Sequence, residues 1–302
     1  MDFKNFENRF KKFNKTIYFD YSIKKLNWFN IGGNTNIYFK PDTLQDLIEF
    51  LKMCAPEDKL FVIGAGSNVL FKDDKFEGTV IKLTKNFARI SMLNENTIIA
   101  GSGVLDKSLS EFASRNNLSG FEFLSCIPGT VGGGIRMNSG CFGSEFKDIL
   151  ISVQVINRLG EVFTILAKDI IFGYRTCKLP KDLIFLSASF RGKKGDQKEI
   201  DEEVKNLKNK KEKAQPTRIK TGGSTFKNPL EQTDRKVWEI IKDSVPNKTQ
   251  FGDAVISDKH ANFFINKNNA TYKDMKKLID FVKENVKNKT GIKLDLEIIL
   301  VE

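Results

Sequence analysis

Six glycines fall within the fifteen residues from Gly129 to Gly143, interleaved with hydroxyls and an amide. The segment reads Ser125-Cys126-Ile127-Pro128-Gly129-Thr130-Val131-Gly132-Gly133-Gly134 and continues through Met137-Asn138-Ser139-Gly140 to Gly143. Residues without Cβ atoms let successive backbone N–H groups approach an anion closely, and such a run forms an anion-binding concavity. The plain alternative is a loop that needs left-handed backbone at several points. Glycine density with interleaved polar groups favours a ligand loop. On composition alone the ligand bears phosphate, and nothing narrower follows.

Three further segments carry chemistry. Gly64-Ala65-Gly66-Ser67-Asn68 follows a strand-like run, Leu60–Ile63. It lacks the third glycine of a Rossmann fingerprint, since Val69 stands there, and no long helix follows, so a Rossmann fold is rejected. Gly222-Gly223-Ser224-Thr225-Phe226-Lys227-Asn228-Pro229 can expose a hydroxyl on a tight turn beside a cation and an amide. An ordinary loop leading to a helix is the commoner meaning of such a serine. In Phe172-Gly173-Tyr174-Arg175 the arginine either snorkels over an apolar patch or fixes a carboxylate with a bidentate guanidinium, and the residues alone do not choose. The single histidine, His260, lies in an apolar run and reads as a satisfied core residue rather than a base.

Positioning these loops requires a mixed α+β chain. A helix is expected from Thr43, with Asp46 as its capping acid and Leu44, Leu47, Ile48 and Leu51 buried. A second carries Leu105, Leu109, Phe112 and Ala113, and a third opens at Thr271 with Asp274, buries Met275, Leu278, Ile279, Val282 and Val286, and stops before Gly291. Strands are expected at Thr79–Leu83, Val153–Asn157, Val162–Leu166 and Leu183–Phe190. The C-terminus alternates, with Ile292, Leu294, Leu296, Ile298 and Leu300 on one face and Lys293, Asp295 and Glu297 on the other.

The bulk composition narrows the class. The chain has 302 residues, 40% of them apolar, and no run nears the roughly 20 apolar residues that span a bilayer. Met1 to Lys15 is charged without an apolar core, so no secretory signal is expected and the expected location is the cytoplasm. The four cysteines show no metal-ligand spacing, and no metal is expected. The net charge of +11 raises nucleic-acid binding, but much of the excess sits in Lys205 to Lys213, which reads as the solvated face of a helix. A basic surface equally suits a substrate with phosphates and a carboxylate.

In order along the chain these segments resemble one family, the UDP-N-acetylenolpyruvoylglucosamine reductases. The matches are Trp28-Phe29-Asn30-Ile31-Gly32-Gly33, the loop Gly64 to Leu70, and Ile127 to Gly143. Gly173–Arg175, Gln215-Pro216, Gly223–Pro229, Ser257–Phe263 and Leu294–Ile298 follow. The resemblance implies an α+β fold: a vanillyl-alcohol-oxidase-type FAD-binding unit over residues 1–195 (subdomains about 1–85 and 86–195), then a substrate-binding domain over 196–302. It implies non-covalent FAD, because no histidine stands near Gly32-Gly33 to tether it, with NADPH as hydride donor. Gly64, Gly66, Ser67, Asn68, Ser125, Pro128, Gly129, Thr130, Gly132, Gly133, Asn138 and Gly140 would hold the cofactor. Arg175 would hold the carboxylate of UDP-N-acetylglucosamine enolpyruvate, Ser224 would protonate its C2, and Glu297 would support the enolic intermediate. Lys227 and Asn228 would touch the substrate or orient the hydroxyl. A monomer without nucleic-acid partner or membrane insertion is expected.

The sequence departs from the family pattern in places. Asn30 replaces the usual arginine, the stretch 243–252 lacks the usual glycine-rich turn, and the connection from Arg191 to Pro216 lacks the tyrosine-bearing insertion of one subtype. The competing readings are another FAD-linked oxidoreductase of the same fold and a basic, non-catalytic nucleic-acid binder.

Overall fold

The structure, a computed structural model, describes residues 10–13, 15–216 and 219–302. The chain forms two compact units, one of residues 1–21, 35–65 and 77–210, the other of residues 22–34, 66–76 and 211–302.

The larger unit holds a four-stranded and a five-stranded sheet besides two-stranded ribbons. The four-stranded one runs in the order Ile17–Ser22, Asn34–Phe39, Phe76–Ile81, Lys59–Val62, the last two parallel. Beside it lies the Leu44–Met53 helix, whose capping box forms as expected: Thr43 Oγ1 accepts from Asp46 N at 3.1 Å, and Asp46 Oδ2 from Thr43 N at 3.0 Å. Its buried face is Leu47, Phe50 and Leu51, whereas Leu44 is 37% exposed. The helix turns Phe50 inward because that ring stacks on Phe39 at 4.3 Å and meets Phe10 and Phe13. An aromatic ring buries more apolar area than a leucine, so this rotation wins.

The five-stranded sheet is antiparallel throughout, in the order Val162–Leu166, Leu150–Ile156, Ile184–Arg191, Thr97–Gly101, Ile90–Asn94. Its central strand, Ile184–Arg191, is buried on both faces over most of its length. The helices Asp106–Arg115 and Val131–Met137 pack Leu109, Ala113, Val131 and Ile135 into one core with Phe146 and Phe190. Leu105, expected on the buried face of the first of these helices, is instead its exposed N-cap and bridges to Thr130, while Asp106 goes inside. The described elements follow no regular βαβ alternation.

In the smaller unit, the sheet runs Thr221–Ser224, Phe263–Asn266, Ala254–Ile256, Gln250–Phe251. The helices Val237–Ser244 and Tyr272–Thr290 share one core with it. Tyr272–Thr290 has the expected Thr271–Asp274 capping box, the expected buried stripe, and Gly291 in left-handed conformation (φ 77°) at its end. The long C-terminal strand is shorter than its alternation implies. Only Ile299–Val301 enters a ladder, parallel to Val69–Phe71. The preceding residues bond to a loop instead, with Lys227 N donating to Asp295 O and Glu297 N to Thr225 O, both at 2.9 Å. Basic residues 205–213 lie on the Gln197–Ala214 helix, which buries only Ile200 and Leu207. None of the helices described is long and apolar enough to cross a membrane.

Candidate active site

The glycine-rich loop leaves a short 3-10 helix, Glu122–Cys126, and enters the Val131–Met137 helix through Thr130. Pro128 and Gly133 are exposed along it, and Ser125 is half-buried. The loop is anchored from beneath: Val131 N donates to Val104 O and Gly132 N to Ser102 O, both at 2.9 Å. Several of its glycines are required by protein neighbours. A Cβ on Gly129 would stand 2.5 Å from Asp106 Oδ2, one on Gly132 2.9 Å from Ser102 Cβ, and one on Gly134 2.2 Å from the Phe146 ring. At Gly133 the nearest such atom, Thr130 Oγ1, is 3.6 Å away, an ordinary contact, so a side chain there would meet no clash. Gly64 joins the first loop to this one, since its Cβ would fall 2.3 Å from Thr130 Oγ1. The Thr130 hydroxyl makes no capping bond to its own helix.

Arg175 sits at the tip of the Phe172–Gly173/Thr176–Cys177 hairpin with left-handed backbone, φ 54°. Its Nη2 donates to Gly140 O at 2.9 Å and its Nη1 lies 3.7 Å from Glu145 Oε1, with the guanidinium 5.0 Å from the Tyr174 ring. Asn138 is fully buried, ends the Val131–Met137 helix at φ 41°, and donates to Glu145 Oε2 (3.0 Å) and Gly173 O (3.1 Å). Its Oδ1 accepts from Lys147 N at 3.1 Å. Arg136, two residues earlier, holds the segment beyond the hairpin through Leu179 O, Pro180 O and Leu183 O, at 3.2, 3.0 and 2.7 Å.

In the smaller unit Ser224 ends its strand opposite Phe263, directly after Gly223 at φ 76°. Gly222 must lack a side chain because a Cβ would stand 2.4 Å from the Phe29 ring. Thr225 N donates to Asn262 O at 2.8 Å, and Asn262 exchanges side-chain bonds with Phe226 N (3.0 Å) and Phe226 O (2.8 Å). Asn262 thus fixes the serine turn. Glu297, half-buried, is tied to the same turn through Thr225 O, and Asn68 Nδ2 donates to the Glu297 carbonyl at 2.9 Å. Lys227 is half-buried, and Asn228 Oδ1 accepts from Val237 N at 3.0 Å at the start of the next helix. Gly66 (φ 70°) and Ser67 precede Asn68, and Gly66 leaves no room for a Cβ against Leu26 O. His260 accepts from Asn262 N at 3.3 Å and packs against Phe263, and burial pulls its pKa below the ordinary value, so it is neutral at neutral pH.

The sequence reading did not single out Glu145, Asn262, Arg136 or Asp106. Glu145 and Arg136 flank the glycine run, and Asn262 lies inside the Ser257–Phe263 motif, so proximity to those motifs was the available signal.

A family model described as FAD binding domain matches residues 35–166, and one described as UDP-N-acetylenolpyruvoylglucosamine reductase, C-terminal domain, matches residues 215–301. The UDP-N-acetylenolpyruvoylglucosamine reductase of Pelagibacter ubique (strain HTCC1062) is 61% identical over 282 residues, 93% of each chain. This chain belongs to that reductase family. The family's Rickettsia conorii member is 43% identical over 279 residues, 92% of this chain and 93% of its own. The crystal structure of the UDP-N-acetylenolpyruvylglucosamine reductase from Thermus caldophilus superposes with a TM-score of 0.81 at 29% identity, covering 95% of this chain and 98% of the other. The α+β fold with an FAD-binding unit, expected from the sequence, is thus found, and the protein is an FAD-containing oxidoreductase.

The larger unit of this reductase fits a flavin nucleotide. Its two glycine loops meet at Gly64 and Thr130 at a distance only glycine allows. Gly133 is exposed, so its backbone can be approached by an anion, and the Thr130 hydroxyl is not consumed by its own helix. Thr130 and Gly133 are residues that could hold FAD phosphate in this unit.

Proposed function

We propose that this reductase converts UDP-N-acetylglucosamine enolpyruvate to UDP-N-acetylmuramate for peptidoglycan synthesis, using NADPH and bound FAD, as a cytoplasmic monomer. The observation that carries the reading is the match of a flavin-binding model and the reductase's own C-terminal model to one chain. When bound, FAD would supply the hydride chemistry between NADPH and the methylene carbon of the enolpyruvyl group. Negative charge then develops at C2 and on the adjoining carboxylate, where preorganised donors lower the barrier.

Arg175 is the carboxylate-holding group. Its guanidinium is anchored on Gly140 O before substrate arrives, so little reorganisation is needed. Ser224 gives its hydroxyl proton to C2. A serine is a poor acid in water, but a carbanion-like carbon is a strong base, and the transfer is not uphill. Glu297 supports the enolic intermediate, held in place by Thr225 and Asn68. Lys227 and Asn228, on the serine loop, contribute to substrate contact.

The test is an anaerobic absorption titration of the purified protein. NADPH should bleach a flavin band near about 450 nm, and only the enolpyruvyl substrate should restore it. A colourless protein that takes up no FAD, or a reduced flavin that this substrate does not reoxidise, overturns the proposal.

A further inference from the structure

We propose that Glu145 is the positioning residue for Arg175, fixing the orientation in which the guanidinium meets a carboxylate. The inference rests on the reading of Arg175 as the carboxylate-holding group. Gly140 and Glu145 face each other across the two-residue ribbon Gly140–Cys141/Ser144–Glu145. Arg175 engages both partners of that pair, through a 2.9 Å hydrogen bond to Gly140 O and a 3.7 Å ion pair to Glu145 Oε1. The plane of the guanidinium is thereby set at two points on one ribbon. The Arg175 and Glu145 side chains are only 18% and 20% exposed, so solvent and salt screen this pair less than a surface pair.

Glu145 is itself held from several sides. Its Oε2 accepts from Asn138 Nδ2 at 3.0 Å and pairs with Lys147 Nζ at 2.9 Å, and its backbone N donates to Asp148 Oδ2 at 2.8 Å. Asn138 also donates to Gly173 O, in the pair that flanks the turn carrying Arg175. The carboxylate therefore connects to that hairpin at Arg175 directly and at the neighbouring Gly173 through Asn138. Both Asn138 (φ 41°) and Arg175 (φ 54°) have left-handed backbone, which non-glycine residues keep only where their surroundings over-determine it. Glu145 is the partner these two strained residues share. Gly140 completes the arrangement: a Cβ there would stand 2.1 Å from Ser144 O and 2.8 Å from Glu145 Cγ. A side chain at 140 and the present course of Glu145 exclude each other.

The test separates the two half-reactions of the holoenzyme by anaerobic stopped flow. Glu145→Gln keeps the shape and an acceptor oxygen but removes the charge. FAD content and flavin reduction by NADPH should stay within about twofold of the parent, because neither uses Arg175 in the proposed reading. Reoxidation by UDP-N-acetylglucosamine enolpyruvate should slow by roughly tenfold or more, as expected for a misaimed group near the chemistry. Glu145→Asp, which restores the charge, should recover part of that loss. In a double-mutant cycle, Glu145→Gln should add little to Arg175→Lys, since both act through one guanidinium. Additive effects, equal slowing of both half-reactions, or loss of FAD would assign Glu145 a merely structural role and overturn the inference. Unchanged reoxidation in Glu145→Gln with slowed reoxidation in Arg175→Lys overturns the inference alone. Unchanged reoxidation in Arg175→Lys removes the reading of Arg175 and the inference with it. Should the glutamine variant fail to fold, Glu145→Asp alone is read by the same two rates: it keeps the charge but shortens the reach to Arg175, so slowed reoxidation with parental flavin reduction upholds the inference and parental values of both rates overturn it.

Discussion

Asn68 donates its side-chain amide to the main-chain carbonyl of Glu297 at 2.9 Å, and its own carbonyl accepts from Ile299 N at the same distance. A residue of the first glycine loop thus clamps the backbone on both sides of Ile298. Because Glu297 N is held by Thr225 O, both backbone polar groups of Glu297 are spoken for, and the carboxylate's origin is fixed. Asn68→Ala removes one of these ties and leaves a part-buried carbonyl unpaired. The cost should be about 1–3 kcal/mol of stability, seen as a lower urea midpoint at unchanged m-value. Substrate-dependent reoxidation should fall on the order of tenfold as Glu297 loosens. A variant with parental stability and rate would show that the clamp is redundant.

Ser224→Ala tests the proton donor. The hydroxyl stands at the end of a strand whose backbone is held by Thr221 and Asn262, so its removal should not disturb the turn. The melting temperature and the rate of flavin reduction by NADPH should match the parent. Reoxidation by the enolpyruvyl substrate should drop by roughly 10²–10⁴-fold, the usual worth of a positioned general acid. A drop in both half-reactions, or in neither, would remove Ser224 from the role.

The approach of Gly64 to Thr130 makes a prediction about the cofactor. In Gly64→Ala the new methyl meets Thr130 Oγ1 at 2.3 Å, while the other Thr130 side-chain atoms lie at 3.5 Å and beyond. The two loops must part, at about 1–3 kcal/mol for overpacking, and the protein should be isolated with much less than one FAD per chain. Adding Thr130→Ala removes the oxygen in conflict, so the double variant should regain thermal stability. It should remain flavin-poor if the Thr130 hydroxyl is a flavin ligand. Full recovery of flavin in the double variant would show that Thr130 contributes only bulk.

These relationships were only partly visible in the chain. The Thr43–Asp46 and Thr271–Asp274 boxes and the Met275–Val286 stripe were, because capping and helical periodicity are local. The serine loop and the Gly64 and Gly129 loops also announced themselves, since glycine spacing is a local demand of the backbone. The C-terminal alternation was real but overstated the strand, because residues 295–297 give their hydrogen bonds to the turn 225–227, some seventy residues earlier in sequence. Phe50 displaced Leu44 from the helix core through rings contributed by Phe10, Phe13 and Phe39. Glu145 carries no motif of its own, and its role depends on a hairpin thirty residues away. Asp106 carried no signal in the sequence, because an acid at a helix start is ordinary and favourable near the N-terminal dipole, and only tertiary packing closes it off.

Asp106 therefore makes the pH prediction. It is 0% exposed, neither carboxylate oxygen has a hydrogen-bond partner among the described residues, and burial pushes its pKa well above the ordinary range. Burial favours the protonated carboxyl in the folded state over a range in which the unfolded chain, with its pKa near about 4, has released that proton. Between these two values the folded state binds more protons, so stability falls as pH rises. The contribution is complete below the unfolded pKa and is lost as pH climbs toward the raised folded one. Asp106→Asn substitutes a neutral side chain of the same size and removes that slope. Urea midpoints measured at intervals from pH 5 to pH 8, values chosen at about the span where an ordinary Asp is ionised, should decline less in Asp106→Asn than in the parent. The variant should gain on the parent steadily toward the alkaline end. Parallel curves would mean that Asp106 is ionised in the folded protein, stabilised by partners beneath the Gly129 loop.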